Sequence, residues 1–306
     1  MNLRFHFLLL LSLLLISACR QKTIVVPDND PPYVGGVPQV EIENYVNKIF
    51  IDLIGREPLD YEMTAEVQWL KDNNLSQESR DSLMRKLQFN TDSIHGDSSY
   101  KHAYYHRLYE LAKLRLCEGA ANSTFWYYWG LARNSYVIDS LLGDQEGMAK
   151  SQAVMDRLEA VVDSERELMF DSIGLQDMYA RMVNNQVYSV INMNTFNFIN
   201  ATFDDLFFRY PTTAEYDAAF DMIEFNLSTF IFNEPGSNKE DYIDIMVTSR
   251  EFYEGMVRWA YITLVAREPQ SAEMNDLMSS FYWDHDISRV QRYIMVTDEY
   301  ANFSEL

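Results

Sequence analysis

From Glu41 onward, apolar residues recur at three- and four-residue spacing with charged residues between them, a pattern that predicts helix almost throughout. Val154, Met155, Leu158, Val161, Val162, Leu168 and Met169 make one such stripe, and Asp156, Arg157, Glu159, Asp163, Glu165 and Glu167 fill the opposite face. Glycine and proline fall mostly where the stripes stop, at Gly96, Gly119, Gly143, Gly174 and Pro235-Gly236. No stretch alternates cleanly with period two, so strands are expected to be incidental. The predicted fold is all-α, a multi-helix bundle of ten or eleven helices.

Within that pattern one frame occurs three times without gaps. Phe50-Ile-Asp-Leu53-Ile-Gly-Arg56-Glu-Pro58-Leu-Asp-Tyr-Glu62 returns as Phe203-Asp-Asp-Leu206-Phe-Phe-Arg209-Tyr-Pro211-Thr-Thr-Ala-Glu215, and again from Tyr261 through Leu264, Arg267 and Pro269 to Glu273. The aromatic and the leucine, three apart, share one inward face of a helix. The arginine is expected in its last turn, where a cation suits the exposed carbonyls. Proline ends the helix and turns the chain. The glutamate then falls in the first turn of the next helix, where Thr212-x-x-Glu215 reads as a capping box that Leu59 and Gln270 cannot reproduce. The frame reads as a repeated helix–Pro-corner–helix device, with Arg and Glu placed to pair across the corner; a ligand role for the three arginines is the rival reading.

The N-terminus differs from the body. Arg4 precedes the ten-residue apolar run Phe7 to Ile16, too short to span a bilayer as a helix and suited to a secretory signal. Ile16-Ser17-Ala18-Cys19 follows and resembles a bacterial lipobox, which implies a signal peptide over 1–18 and a lipidated Cys19 as membrane anchor. Arg20 follows the cysteine, so the start does not resemble an inner-membrane retention signal with Asp at that place, and an outer-membrane location is expected. The early acidic run of Bacteroidota surface-export tags has no counterpart, the first acids being Asp28 and Asp30, so the expected side is the periplasm. Pro27, Pro31, Pro32 and Pro38 with Gly35-Gly36 read as a semi-stiff tether over 19–40. The body then divides into a first helical unit at 41–98, a central helical bundle at 99–197 and a C-terminal pair of units at 198–306.

Composition narrows the function classes. Acidic residues number 46 against 25 basic, a net charge of −21, so a phosphate-tracking surface and a nucleic-acid partner are not expected. An anionic body is also repelled by anionic headgroups, which leaves the anchor as the expected membrane contact. Two cysteines exclude a disulfide framework, and Cys117 reads as a small buried hydrophobe. No phosphate-loop, dinucleotide or nucleophile-elbow fingerprint occurs, so no cofactor and no catalytic residue are assigned.

Two clusters stand out as candidate sites. His102, His106 and Glu110 lie four apart on one helical face, a spacing at which two imidazoles can chelate a divalent ion. Trp126, Tyr127 and Trp129 belong to the densest aromatic run, Thr124 to Gly130, which cannot all face inward. Exposed Trp and Tyr are anchor types at protein interfaces and sugar-stacking sites.

The third copy carries a resemblance. Ser249-Arg-Glu251-Phe252, then Tyr261 to Pro269, then Val296-Thr297-Asp298-Glu299-Tyr300 resembles a small all-helical domain of unknown function in bacterial secreted and surface-layer proteins. That domain carries a Tyr-x-x-Leu-Leu-Gly-Arg-x-Pro corner and, about thirty residues on, a Ser-x-Glu-Phe/Tyr terminator. It is distantly similar to phycobilisome linker domains, which connect assemblies. The first copy also resembles the start of a helical domain in planctomycete-type cytochrome-associated envelope proteins. Ala266 and Phe208 stand where those domains have glycine, and Thr297 replaces the terminator serine. The resemblance implies an all-helical fold and names no activity. The anchor, the tether, the repeated helical units and the aromatic surplus without a catalytic constellation lead to the expectation of a non-enzymatic, Bacteroidota-type envelope lipoprotein that scaffolds or docks envelope proteins. A glycan- or peptidoglycan-binding accessory protein, or a metal enzyme built on the histidines, are the alternatives.

Overall fold

A computed structural model describes residues 36–303. The expected signal peptide, Cys19 and most of the tether lie outside the described residues; the first helix begins at Gln39. The described chain is all-α, with fifteen helices and one short β-hairpin.

The first frame joins α1 (Gln39–Ile54) to α2 (Asp60–Asp72), followed by α3 (Gln77–Phe89). Helix α4 (Tyr100–Leu116) leads into a long antiparallel pair, α5 (Asn122–Leu142) and α6 (Gln145–Met169), joined at Gly143 in the left-handed conformation. Short helices α7 (Leu175–Val183) and α8 (Gln186–Asn192) lead to α9 (Thr195–Phe207), the second frame and α10 (Thr213–Phe225). Strands β1 (Thr229–Ile231) and β2 (Glu234–Gly236) pair antiparallel around Phe232-Asn233, both at positive φ as a two-residue hairpin turn requires. Helices α11 (Lys239–Thr248), α12 (Arg250–Val265), α13 (Ser271–Asp284), α14 (Ile287–Met295) and α15 (Asp298–Ala301) complete the chain.

Fifteen helices exceed the ten or eleven expected in part because Asn185 and Asn194 restart the helix where the apolar stripe continues, and Asn238 opens another after the hairpin. Asn185, Asn194 and Asn238 each accept a backbone N–H from the first turn of the helix they open, at 2.8 to 2.9 Å. At Asn185 and Asn194 the cap interrupts the backbone without interrupting the hydrophobic pattern.

The core is rich in tyrosine and phenylalanine: Tyr45, Tyr104, Tyr109, Tyr179, Tyr188, Tyr242 and Tyr253 are almost fully buried. The hydroxyls of several are used. Tyr45 donates to the Met295 carbonyl (2.9 Å), Tyr104 to Gln291 (2.7 Å) and Tyr188 to Asp205 (2.8 Å). Burying these rings therefore orders the chain directionally as well as excluding water.

Units far apart in sequence meet through polar contacts. Arg80 on α3 donates to the Val296 carbonyl (2.8 Å) and pairs with Asp298 (2.7 Å). Lys48 on α1 donates to the Leu264 and Tyr300 carbonyls, both at 3.1 Å, and lies 3.8 Å from the Tyr300 ring centroid. Tyr300 donates in turn to Asp52 (2.7 Å). The first unit thus packs against the last. In the second unit, the one built on the second frame from α9 to the start of α12, α9 crosses α12 where Gly255 meets the Leu206 carbonyl, which would lie 2.0 Å from any Cβ at that position. Among the described residues no helix is long and apolar enough to cross a membrane.

Candidate functional site

The three corners share one geometry. After each corner helix a single residue takes positive φ, Gly55 (74°), Phe208 (61°) and Ala266 (56°), and the arginine follows it. The arginine therefore sits beyond the last turn rather than within it, and bonds forward. Arg56 grips Glu62 through both terminal nitrogens at 2.7 and 2.8 Å, Arg209 grips Glu215 at 2.9 and 2.7 Å, and Arg267 grips Glu273 at 2.8 and 2.7 Å. Each also donates to the carbonyl of its successor, Glu57, Tyr210 or Glu268, at 2.9 to 3.0 Å.

The same carboxylates accept the backbone N–H of the residue that opens the next helix: Leu59 (2.7 Å), Thr212 (2.7 Å) and Gln270 (2.6 Å). Half of the capping box is therefore present in all three copies. Thr212 alone adds the side-chain half, accepting from Glu215 N at 3.3 Å. The frame's aromatic also gains a role beyond the core, since each guanidinium lies over its ring: Arg56 over Phe50 (5.6 Å), Arg209 over Phe203 (5.0 Å), Arg267 over Tyr261 (5.0 Å).

The terminators close the second and third corners. Ser249 and Thr297 cap α12 and α15 by accepting from Phe252 N (3.1 Å) and Tyr300 N (3.2 Å). Glu251 then bonds Arg209, and Glu299 accepts from Arg267 at 2.6 and 2.7 Å. With two carboxylates and a carbonyl around each, Arg209 and Arg267 have every N–H engaged and none left for a ligand. Burial raises the Glu62 carboxyl, but hydrogen bonds from Arg56, Tyr100 and the Leu59 backbone outweigh it and hold it at about 2. The Arg209 hydrogen bond holds Glu215 at about 2, and the Arg267 hydrogen bond does the same for Glu273.

The sequence missed the first unit's counterpart of this terminator. Ser99 caps α4 by accepting from His102 N (3.1 Å), and the Tyr100 hydroxyl donates to Glu62 (2.6 Å). Because Lys101 stands where the other copies carry glutamate, the terminator signature was not visible there.

The candidate metal cluster assembles differently from the expectation. His106 contacts Glu165 on α6 at 3.0 Å and His102 contacts Asp97 at 2.7 Å, with Glu165 at 4.0 Å from the other side of the His102 ring. Glu110 turns away and pairs with Lys113 (2.7 Å). Glu110 is thus corrected out of the cluster, because Lys113, one turn on, offers it a charged partner. Among the described residues no group of three or more His, Cys, Asp or Glu is arranged to hold a metal ion. Cys117 is buried, and that burial pushes its thiol up to about 12.

The candidate aromatic platform is split. Trp126 and Tyr127 are exposed, whereas Trp129 is half-buried and donates through Nε1 to Glu159 (2.7 Å). The Trp126 and Trp129 rings meet edge to face at 71° and share no plane for a sugar. A second aromatic surface, not singled out in the sequence, lies on the second unit. Phe196, Tyr216, Phe220 and Phe225 form a ladder with successive centroids 5.7, 6.0 and 5.8 Å apart. Phe196 and Phe225 at its ends are about 60% exposed. Tyr216 and Phe220, four apart on α10, carried the signal, and only the packing of α9 beside α10 adds Phe196 to them.

Compared with known proteins, the chain matches no protein-family model, no curated protein and no solved structure.

Proposed function

We propose that the chain is a non-enzymatic lipoprotein, held by Cys19 on the periplasmic side of the outer membrane, that docks an envelope protein on its second helical unit. The anchor rests on the apolar run and Ile16-Ser17-Ala18-Cys19, and the scaffold role is supported by the Pro-rich tether, the repeated helix–corner–helix units and the surplus of aromatic residues. The observation that carries the docking reading is the ladder from Phe196 to Phe225, exposed at both ends and half-buried between them. Exposed aromatic groups that remain in contact with one another are typical of interface anchors. Asp217, Asp221 and Glu224 flank the ladder on α10, which carries no basic residue. The fitting partner therefore presents an apolar patch rimmed by lysine or arginine.

A photo-crosslinking residue at Phe225, introduced into the full chain in intact cells, should trap one dominant envelope protein. Tyr216→Ser with Phe196→Ser should abolish that product while the protein stays folded and membrane-bound. An unchanged crosslink pattern in the double variant would remove the docking reading. For the anchor, Cys19→Ser should lose fatty-acid labelling and leave the membrane fraction.

A glycan-binding reading is favoured by one detail: Tyr216 and Phe220 stand one turn apart in a partly exposed aromatic row, the kind of side chain on which a sugar ring stacks. Titration calorimetry against peptidoglycan fragments separates the two, since heat of binding lost in Tyr216→Ser would support the glycan.

A further inference from the structure

Helix α5 turns one face toward α6 and, among the described residues, leaves the opposite face exposed. Phe125, Trp129, Ala132, Tyr136 and Asp139 recur at helical spacing on the face toward α6, where Phe125 is buried, Trp129 bonds Glu159 and Asp139 lies 3.4 Å from Ser151. Around the helix from them, Tyr127, Leu131, Asn134, Ile138 and Leu141 follow one another at spacings of four, three, four and three residues. That is the a/d spacing of a coiled-coil seam. All five are exposed, Leu141 by 83%. The seam runs for about 21 Å along the helix. It lies on the part of the α5–α6 pair that leaves the core, since none of residues 126–154 is buried.

The charge pattern of this helix sets it apart from the rest of the chain. Its charged residues are Arg133 and Asp139, both off the seam, whereas α6 is charged along its length. The positions that flank the seam are Tyr128, Gly130, Ser135, Val137 and Leu142, all uncharged. In a protein of net charge −21, two copies repel each other over most of their surface. This seam is a place where they meet without opposing charges of the same sign.

We propose that the α5 seam is the contact between two copies of this chain, packed antiparallel about a twofold axis beside Asn134, so that the two α5–α6 pairs close into a four-helix bundle. The order of residues favours self-recognition. Two apolar residues lie on either side of Asn134, so a twofold axis there sets Tyr127 opposite Leu141 of the second copy and Leu131 beside its Ile138. The two Asn134 amides, each with donors and an acceptor, then face each other. A single polar residue in an apolar seam fixes register at some cost in stability, and an isologous contact must be self-complementary. A different partner would not require this near-symmetric order. The inference stands apart from the docking surface on the second unit and does not rest on it.

Sedimentation of the full chain in detergent at micromolar concentration should show a dimer. Ile138→Glu should weaken it by about tenfold or more, because a carboxylate would be buried in the seam. The residue is exposed in the single chain, so the helical circular dichroism signal should not change. Asn134→Cys should form a disulfide-linked dimer under mild oxidation, and Ser140→Cys, off the seam, should not. A wild-type chain that sediments as a monomer, or a dimer indifferent to Ile138→Glu, would overturn the proposal.

Discussion

Phe208 and Ala266 occupy backbone positions that favour glycine, and their strain is local. A non-glycine residue at φ near 60° costs about 1 kcal/mol through its Cβ, and Gly55 in the first copy is spared it. Ala266→Gly should therefore raise the melting temperature by about 2 °C in calorimetry. Gly55→Ala should lower it, both from the φ of 74° and because the new methyl would lie 3.2 Å from Cδ of Arg107. Phe208 retains a compensation that Ala266 lacks: its ring lies 4.1 Å from the Arg115 guanidinium. The arginines of the frame act at the same scale. Each one ties its own corner to the start of the next helix, and in two copies to the terminator, so the conserved spacing within the chain reflects hydrogen-bond geometry.

The repeat is a set of overlapping helices. Helix α12 carries the terminator of the second unit at Ser249 and Glu251, and its other end is the corner helix of the third, ending at Ala266 and Arg267. The two units therefore share a helix and cannot be displaced independently. Their crossing with α9 depends on Gly255, whose missing side chain lets the Leu206 carbonyl approach. Gly255→Ala should cost about 3 kcal/mol or more, read from denaturant unfolding, because the obstacle is backbone and cannot rotate away. The frame was visible in the sequence because five fixed positions recur. Helix sharing and the glycine crossing were not, since neither leaves a periodic trace.

Stability of the whole molecule should depend on acid in two opposed ways. Glu62, Glu215 and Glu273 are held at about 2, below their ordinary 4.5. Their contribution is complete above pH 4.5 and is lost as pH falls toward 2. Asp205 behaves oppositely: burial, outweighing its Tyr188 hydrogen bond, raises its carboxyl from 3.8 to about 6. Its neutral form is the one the fold favours, so that contribution is full below pH 3.8 and is lost as pH rises through 6. Melting temperature against pH should fall steeply below pH 4.5, and a Glu215→Gln, Glu273→Gln variant should show a lower plateau and a shallower fall. A slope unchanged in that variant would place the acid sensitivity elsewhere. The contact of first and last units, through Arg80, Lys48 and Tyr300, adds polar order that no single unit carries.

Helical class, the three corners and the pairing of Arg with Glu across each were determined by the sequence alone, because spacing along a helix and the stopping power of proline are local properties. The asparagine-capped breaks were equally local but lay hidden beneath a continuous apolar pattern. Tertiary structure decided what no spacing encodes. It put Glu165 beside the histidines in place of Glu110, turned Trp126 edge-on to Trp129, assembled the Phe196–Phe225 ladder from two helices, and left one seam of α5 bare. Each depends on which faces meet, and that follows from the packing of the whole chain.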